Sequence, residues 1–190
     1  MLDKTLERVT SCSACDALPL GPRPILRLNP NARILIAGQA PGQKAHEKGI
    51  PFADASGNRL REWMGLSRAQ FYSSELVAVL PMAFCYPGTA KSGDLPPPPL
   101  CAKKWRSDLL KLLPHIDLTL LIGQYALDWH LKENQSQTLT ETVRNWRIYW
   151  PEILPMPHPS PRNNRWLKKN AWFEQDVLPE LRQRVASFTA

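Results

Sequence analysis

The sequence predicts an α/β fold, a three-layer sandwich whose central sheet has four parallel strands with helices packed on both faces. Three observations carry that expectation. Four short runs, Arg33 to Ala37, Leu76 to Leu80, Leu118 to Ile122 and Ile153 to Met156, are almost continuously apolar, the pattern of strands buried on both faces. Between them lie stretches whose apolar residues recur every three or four positions, the period of an amphipathic helix. The length, 190 residues, suits one domain with a single substantial core, so one domain spanning 1–190 is expected.

In chain order, strand Arg33 to Ala37 runs into Gly38-Gln39-Ala40-Pro41-Gly42, and a helix is expected over Gly57 to Met64 before strand Leu76 to Leu80. The segment from Pro81 to Pro99 is rich in proline and glycine and ends in four consecutive prolines. Proline lacks an amide proton and fixes φ, so a long loop is predicted there, neither helix nor central strand. Cys85 and Cys101 bracket it, and a cross-link between its ends would explain how it stays ordered. Helices follow over Ala102 to Leu113 and Tyr125 to Leu131, on either side of strand Leu118 to Ile122, then over Thr138 to Trp146. Strand Ile153 to Met156 runs into Pro157-His158-Pro159-Ser160-Pro161, and a last helix is expected over Leu167 to Val185. Ligands of open parallel sheets bind beyond the carboxyl ends of the strands. The loops at Gly38 and His158 are therefore expected to meet at one crevice although more than a hundred residues separate them.

At 43% hydrophobic and 22% charged the composition is that of a soluble globular protein, and no apolar run approaches the ~20 residues of a membrane span. The first eight residues, Met1 to Arg8, mix acidic and basic side chains and lack the apolar core of a secretory leader. A cytoplasmic location is expected, with no membrane association. In a reducing compartment the four cysteines read as metal ligands before disulfides. The net charge of +7 favours a polyanionic partner, because lysine and arginine displace condensed counterions from phosphates.

Cys12 and Cys15 form a C-x2-C pair, and Cys85 with Cys101 forms a second. Four thiolates accept either a [4Fe-4S] cluster or tetrahedral zinc, and the spacing does not choose between them. Free thiols are the alternative. Any such centre is expected to be structural, pinning the N-terminal segment and the proline loop to the domain.

Taken together, these residues resemble the uracil-DNA glycosylase superfamily, particularly its iron-sulfur branch, family 4. Cys12, Cys15, Cys85 and Cys101 are similar in order and spacing to that branch's cluster ligands, which implies a [4Fe-4S] cluster, with zinc as the alternative. Gly38-Gln39-Ala40-Pro41-Gly42 resembles its first motif, of the type G-E-A-P-G, with Gln39 in place of the acid. Gly49-Ile50-Pro51-Phe52 resembles the G-x-P-F segment, which implies that Phe52 stacks on the extruded base. His158-Pro159-Ser160-Pro161-Arg162-Asn163 is similar to the second motif, in a form most like the single-strand-selective monofunctional uracil glycosylases. Two positions depart from the family pattern. Ala40 stands where the classical branch, with G-Q-D-P-Y, carries a carboxylate, and Pro81 stands where an asparagine ordinarily reads the uracil edge.

The chemistry explains why these residue types recur. A base pulled from the stack costs a few kcal/mol, recovered in a pocket that offers stacking and edge-specific hydrogen bonds. Phe52 supplies the stacking face. As the N-glycosidic bond breaks, the base leaves with negative charge, so a donor aimed at it accelerates the reaction; His158 is the natural donor to the base carbonyl. Gly38 and Gly42 permit a sharp turn and close backbone approach, stiffened by Pro41, with Ala40 between them on the pocket wall. Gln39 is placed to orient a water or contact the base, and Asp54, the carboxylate nearest this pocket in sequence, is the candidate to activate water. Ser160, Arg162, Asn163, Asn164, Arg165, Lys168 and Lys169, with Trp166 among them, form a candidate DNA-gripping loop and helix start. A macrodipole explanation for these cations is set aside because the beginning of a helix disfavours positive charge.

The sequence thus points to a monofunctional DNA glycosylase of base-excision repair, acting as a monomer on uracil or another deaminated base in DNA. A lyase is disfavoured because neither motif contains a lysine, Lys44 being the nearest. The alternatives are a glycosylase-like protein that binds DNA or a nucleotide without cleaving it, and a metal or redox protein centred on the cysteines.

Overall fold

The structure, a computed structural model, describes residues 2–15, 17–91, 93–132 and 138–189. Among the described residues six strands occur in the order β1 (Ile34–Ala37), β2 (Val77–Val79), β3 (Thr89–Ala90), β4 (Gly93–Asp94), β5 (Leu118–Ile122) and β6 (Ile153–Met156). Four of them form an all-parallel sheet of order β2-β1-β5-β6, with Ile34 opposite Val77 on one side and Leu118 on the other, and Leu121 opposite Pro155. Pro155 is tolerated because β6 is an edge strand, where a missing amide proton breaks no ladder.

Side chains alternate across this sheet and both faces are covered, which is why the strands read as unbroken apolar runs. Ile34, Ile36, Val77, Val79, Leu118, Leu120, Leu154 and Met156 join one core with Leu60, Trp63, Phe173 and Leu181. Leu35, Ala78 and Leu80 face the other way, against Val9, Trp105, Leu109 and Leu113. On that second face Ala37 and Leu121 pack with Ala126 and Leu127. Three layers result, as the sequence predicts.

The helices are α1 (Leu2–Thr10), α2 (Gln43–Lys48), α3 (Ala55–Met64), α4 (Arg68–Tyr72), α5 (Pro99–Cys101), α6 (Ser107–Leu110), α7 (Gln124–His130), α8 (Leu139–Arg144), α9 (Asn164–Lys169) and α10 (Leu178–Ala186). α1, α2 and α4 are additions to the sequence-based elements. The last is held by a capping box in which the Ser67 side chain accepts from Gln70 N and the Gln70 side chain accepts from Ser67 N, a signature the sequence does carry. Two expected helices are interrupted. Residues 99–110 form one helical stretch with a π turn at Ala102–Arg106, and the stretch begins at Pro99, where a missing amide proton removes no helical bond. The long C-terminal helix is broken after Lys169 by the buried Asn170, whose amide donates to Trp166 O (2.9 Å) and accepts from Trp172 Nε1 (3.2 Å). A π turn at Phe173–Val177 then leads into α10.

The Pro81 to Pro99 segment contributes no strand to the central sheet, as expected of a long loop, but it is not wholly irregular. Within it β3 and β4 pair antiparallel, Thr89 with Asp94 and Ala90 with Gly93, in a ribbon too short to leave a periodic signal; Ser92 lies outside the described residues. Among the described residues no helix is long and apolar enough to cross a membrane.

Candidate active site

A cleft of about 300 Å³ opens where β1, β2 and β6 end, the place where a parallel sheet's topology brings distant loops together. Gly38, Gln39 and Ala40 line it from the loop after β1, Pro81 from the end of β2, and His158, Ser160, Arg162 and Asn163 from the loop after β6. Phe52 and Asp54 complete it from the approach to α3. The meeting of the Gly38 and His158 loops expected from the sequence is thus present.

Phe52 has φ +55°, the single positive value at a non-glycine among the described residues. A residue with a side chain enters that region only when its surroundings compel it, and such positions cluster at functional sites. The surroundings here are specific. A Cβ on Gly57 would lie 1.8 Å from the Phe52 carbonyl oxygen, so only glycine lets α3 come this close. The Tyr72 hydroxyl donates to the carbonyls of Pro51 (3.1 Å) and Phe52 (3.3 Å), and Phe71 packs edge-on to the Phe52 ring at 6.2 Å. The ring tip stands 3.6 Å from where a Gly38 side chain would begin, so ring and Gly38 backbone form adjoining walls of the cleft.

His158 is mostly buried, and its protonation can be read from its partners. Ser160 N donates to Nδ1 at 3.1 Å, which in a neutral ring leaves the proton on Nε2. Burial lowers the His158 pKa from its ordinary value; the charges of Asp54 and Asp94 oppose the shift and Arg162 adds to it. The ring is therefore a neutral N–H donor at neutral pH. Its loop is braced on both sides, by Asn163 Nδ2 donating to His158 O (2.8 Å) and Arg59 Nη1 donating to Ser160 O (3.1 Å).

Asp54 has two duties. It caps α3, with Oδ1 accepting from Gly57 N at 2.9 Å, while Oδ2 faces the cleft 3.6 Å from the point a Gly42 side chain would occupy. Gln39 is engaged elsewhere than the sequence suggests: its Nε2 donates to Leu95 O at 2.9 Å, tying the β3–β4 ribbon to the pocket. Pro81 offers the cleft no hydrogen bond. It has no amide proton, and its carbonyl accepts from Arg106 Nη1 at 2.9 Å.

Two residues escape sequence reasoning. Arg106 is fully buried, donating also to Leu80 O (2.8 Å) and pairing with His130 Nε2 (2.7 Å). Burial, and secondarily the Arg106 charge, hold the His130 pKa down at about 3. Asp94 lines the cleft from β4, with Oδ1 4.0 Å from Arg162 Nη1 and Oδ2 3.8 Å from the Gly42 side-chain position. It is the single carboxylate between Pro81 and Pro99, and that isolation is the one signal that could have drawn attention to it.

Arg162, which lines the cleft, and Asn164, Arg165, Lys168 and Lys169, which follow it in the chain, are all exposed. The amide of Asn163 is turned inward to the His158 carbonyl, and the Ser160 hydroxyl accepts from Arg162 N (3.2 Å) as the turn Pro161–Asn163 begins. The macrodipole does favour two of these cations. Lys168 and Lys169 occupy the last turn of α9, because Asn170 ends that helix, and cations are favoured there.

Cys12, Cys15, Cys85 and Cys101 line one small pocket with Phe84, Leu100 and Trp105. The Cys101 thiol is pushed up to about 12, mainly by burial, with further contributions from the other three cysteines against a backbone hydrogen bond at Phe84. Burial raises Cys85 as well. Among the described residues no three histidine, cysteine or acidic side chains converge as a single-ion site. The four thiols nonetheless fit an iron-sulfur cluster in donor type and in sharing one apolar pocket. A cationic metal core would offset both the burial of thiolates and their mutual repulsion.

A family model described as the uracil DNA glycosylase superfamily matches residues 27–182. The type-4 uracil-DNA glycosylase of Saccharolobus solfataricus is 26% identical over 171 residues, covering 84% of this chain and 76% of the relative.

Proposed function

The chain belongs to the uracil DNA glycosylase superfamily, and from that premise we propose that it is a monofunctional DNA glycosylase excising uracil, or another deaminated base, from a flipped-out nucleotide. The observation that carries the reading is His158: a neutral ring, its Nδ1 occupied by Ser160 N, with an N–H available in a cleft that also contains Phe52. The extruded base stacks on Phe52, between the Gly38 and Ala40 backbone and the His158 loop. As the bond between base and sugar breaks, its electron pair stays with the base, and His158 Nε2–H donates to the base oxygen on which charge collects. Donors of this kind contribute about 10²–10³ in rate because they are oriented before the charge appears.

Water then bonds to the sugar carbon and loses a proton. Asp54 accepts it at Oδ2, while Oδ1 remains bonded to Gly57 N, which aims the carboxylate. Gln39 supports the reaction as a positioning residue, through the ribbon it holds. Arg162, Asn164, Arg165 and Lys168 grip phosphates, with Ser160 and Asn163 shaping the loop that presents Arg162. Pro81 contributes shape and no edge reading, which supports a base range wider than uracil alone.

Cys12, Cys15, Cys85 and Cys101 would hold a [4Fe-4S] cluster that ties the segment after α1 to the helical stretch 99–110, a structural duty away from the cleft. The protein is proposed to work as a cytoplasmic monomer of one domain. The test is incubation with single-stranded and duplex oligonucleotides carrying uracil, hypoxanthine or xanthine, followed by alkaline cleavage. Alkali-labile sites at the modified base are expected. Binding with no abasic site on any substrate would refute the enzyme reading in favour of a binding protein.

A further inference from the structure

We propose that Asp94 is a further catalytic residue: its carboxylate, carried over the cleft by the β3–β4 ribbon, faces the reacting sugar and balances the positive charge that develops there. The inference rests on the base-excision reading above. Three features of the structure support it.

The first is convergence. Asp54 and Asp94 come from unrelated elements, the N-cap of α3 and strand β4, yet their Oδ2 atoms lie 3.6 and 3.8 Å from the same point, the absent side chain of Gly42. Glycine at 42 leaves open the space that both carboxylates address.

The second is delivery. The ribbon is held in three ways: Leu95 N donates to Gly88 O (2.8 Å), Gln39 Nε2 donates to Leu95 O (2.9 Å), and the Tyr86 and Thr89 hydroxyls pair. Gly93, with φ +145°, takes a conformation that a side chain would resist, and Asp94 follows it directly. The carboxylate itself is lightly engaged. Its Oδ1 accepts from Thr89 Oγ1 at 3.4 Å and stands 4.0 Å from Arg162, and among the described residues no hydrogen bond engages Oδ2.

The third is charge. A protein of net charge +7 that binds a polyanion gains nothing in affinity from two carboxylates at its cleft, where among the described residues Arg162 is the one lysine or arginine in the lining. A carboxylate repels phosphate in the ground state. It becomes favourable when the C1′–N bond breaks, its electron pair leaves with the base and the sugar becomes cationic. Water then bonds to C1′ and its proton passes to Asp54, so the sugar returns to neutrality while Asp94 remains an unprotonated carboxylate that no longer faces a cation.

An interaction confined to the transition state has a signature that a structural role lacks. In Asp94→Asn, kcat for a uracil-containing single strand should fall at least about tenfold while KM stays level or decreases, because a phosphate-repelling charge has been removed. Asp94→Glu, which keeps the charge, should retain more activity than Asp94→Asn. Because Arg162 is adjacent, the substitution is repeated in an Arg162→Ala background, where the same loss is expected. An unchanged kcat, a loss confined to KM, or a loss that vanishes without Arg162 would each overturn the assignment. If the wild type forms no abasic sites, the base-excision reading itself falls; if it forms them and Asp94→Asn matches it, only this inference does.

Discussion

Replacing His158 by alanine separates catalysis from folding. In the fold the ring receives one hydrogen bond, from Ser160 N at 3.1 Å, so its removal leaves one amide less well satisfied, at a cost of about 1 kcal/mol. Loss of the packed ring adds to this, but the loop stays braced by Asn163 Nδ2 on His158 O (2.8 Å) and Arg59 on Ser160 O (3.1 Å), both independent of the side chain at 158. The catalytic loss is larger. Removing an oriented donor to a developing anion lowers the rate about 10²–10³-fold, or about 2.7–4 kcal/mol of transition-state stabilisation. Single-turnover excision from a uracil-containing oligonucleotide, with urea unfolding and a binding titration on unmodified DNA, measures each quantity separately. The expected pattern is a rate lower by two to three orders of magnitude, on the order of the value above, with near-wild-type DNA affinity and a cooperative unfolding transition. The pH profile adds a sign. The folded-state pKa of His158 is lowered, so its ring is neutral at and above pH 7, and no wild-type rate change between pH 7 and 8 should come from it. A variant within fivefold of the wild type would refute the donor role.

Three further outcomes follow from the geometry. Because His130 is held near a pKa of about 3 against 6.5 unfolded, the unfolded chain binds the proton first, and stability falls as pH drops from 6.5 toward 3. Between pH 6.5 and 5 this is worth about 2 kcal/mol by proton linkage, so urea midpoints should fall more steeply with acid in the wild type than in His130→Asn; equal slopes would count against it. Gly57→Ala sets a methyl 1.8 Å from the Phe52 carbonyl, so it should destabilise by about 1–3 kcal/mol and weaken excision together; wild-type values of both would show that Phe52 need not be held there. Cys101→Ser removes one of four thiols in a shared pocket, and purified protein should lose iron, acid-labile sulfide and visible absorption, with a lower melting temperature; unchanged iron content would exclude the cluster assignment.

The parts of this molecule that are legible in the sequence are those set by neighbours along the chain. β5 and β6 coincide with the apolar runs at Leu118 to Ile122 and Ile153 to Met156, since burial on both faces requires an unbroken hydrophobic stretch. The glycines at 38 and 42 and the prolines around His158 mark stiff turns by residue type alone. Other features leave no local mark. Two-residue strands have no period, so the β3–β4 ribbon reads as proline loop. An asparagine inside an amphipathic pattern does not announce a break, yet buried Asn170 ends α9 and moves Lys168 and Lys169 from a helix start to a helix end. Arg106 looks like one more surface cation of a basic helix until its guanidinium is found beneath the Leu80 and Pro81 carbonyls.

The parallel α/β architecture and the two loops that build the cleft are legible along the chain, because apolar periodicity and the backbone limits of glycine and proline act over a few residues. The assembled fold added Asp94 to the side chains that the motifs place at the cleft and set the state of the others: the left-handed Phe52 above Gly57, the neutral His158 with its proton on Nε2, and Gln39 turned to the ribbon. Gln39 on Leu95, Asp94 beside Asp54, and the Tyr72 hydroxyl that helps hold Phe52 join segments twenty or more residues apart, while the Ser160 and Gly57 contacts are local but become pocket walls only once the sheet has assembled.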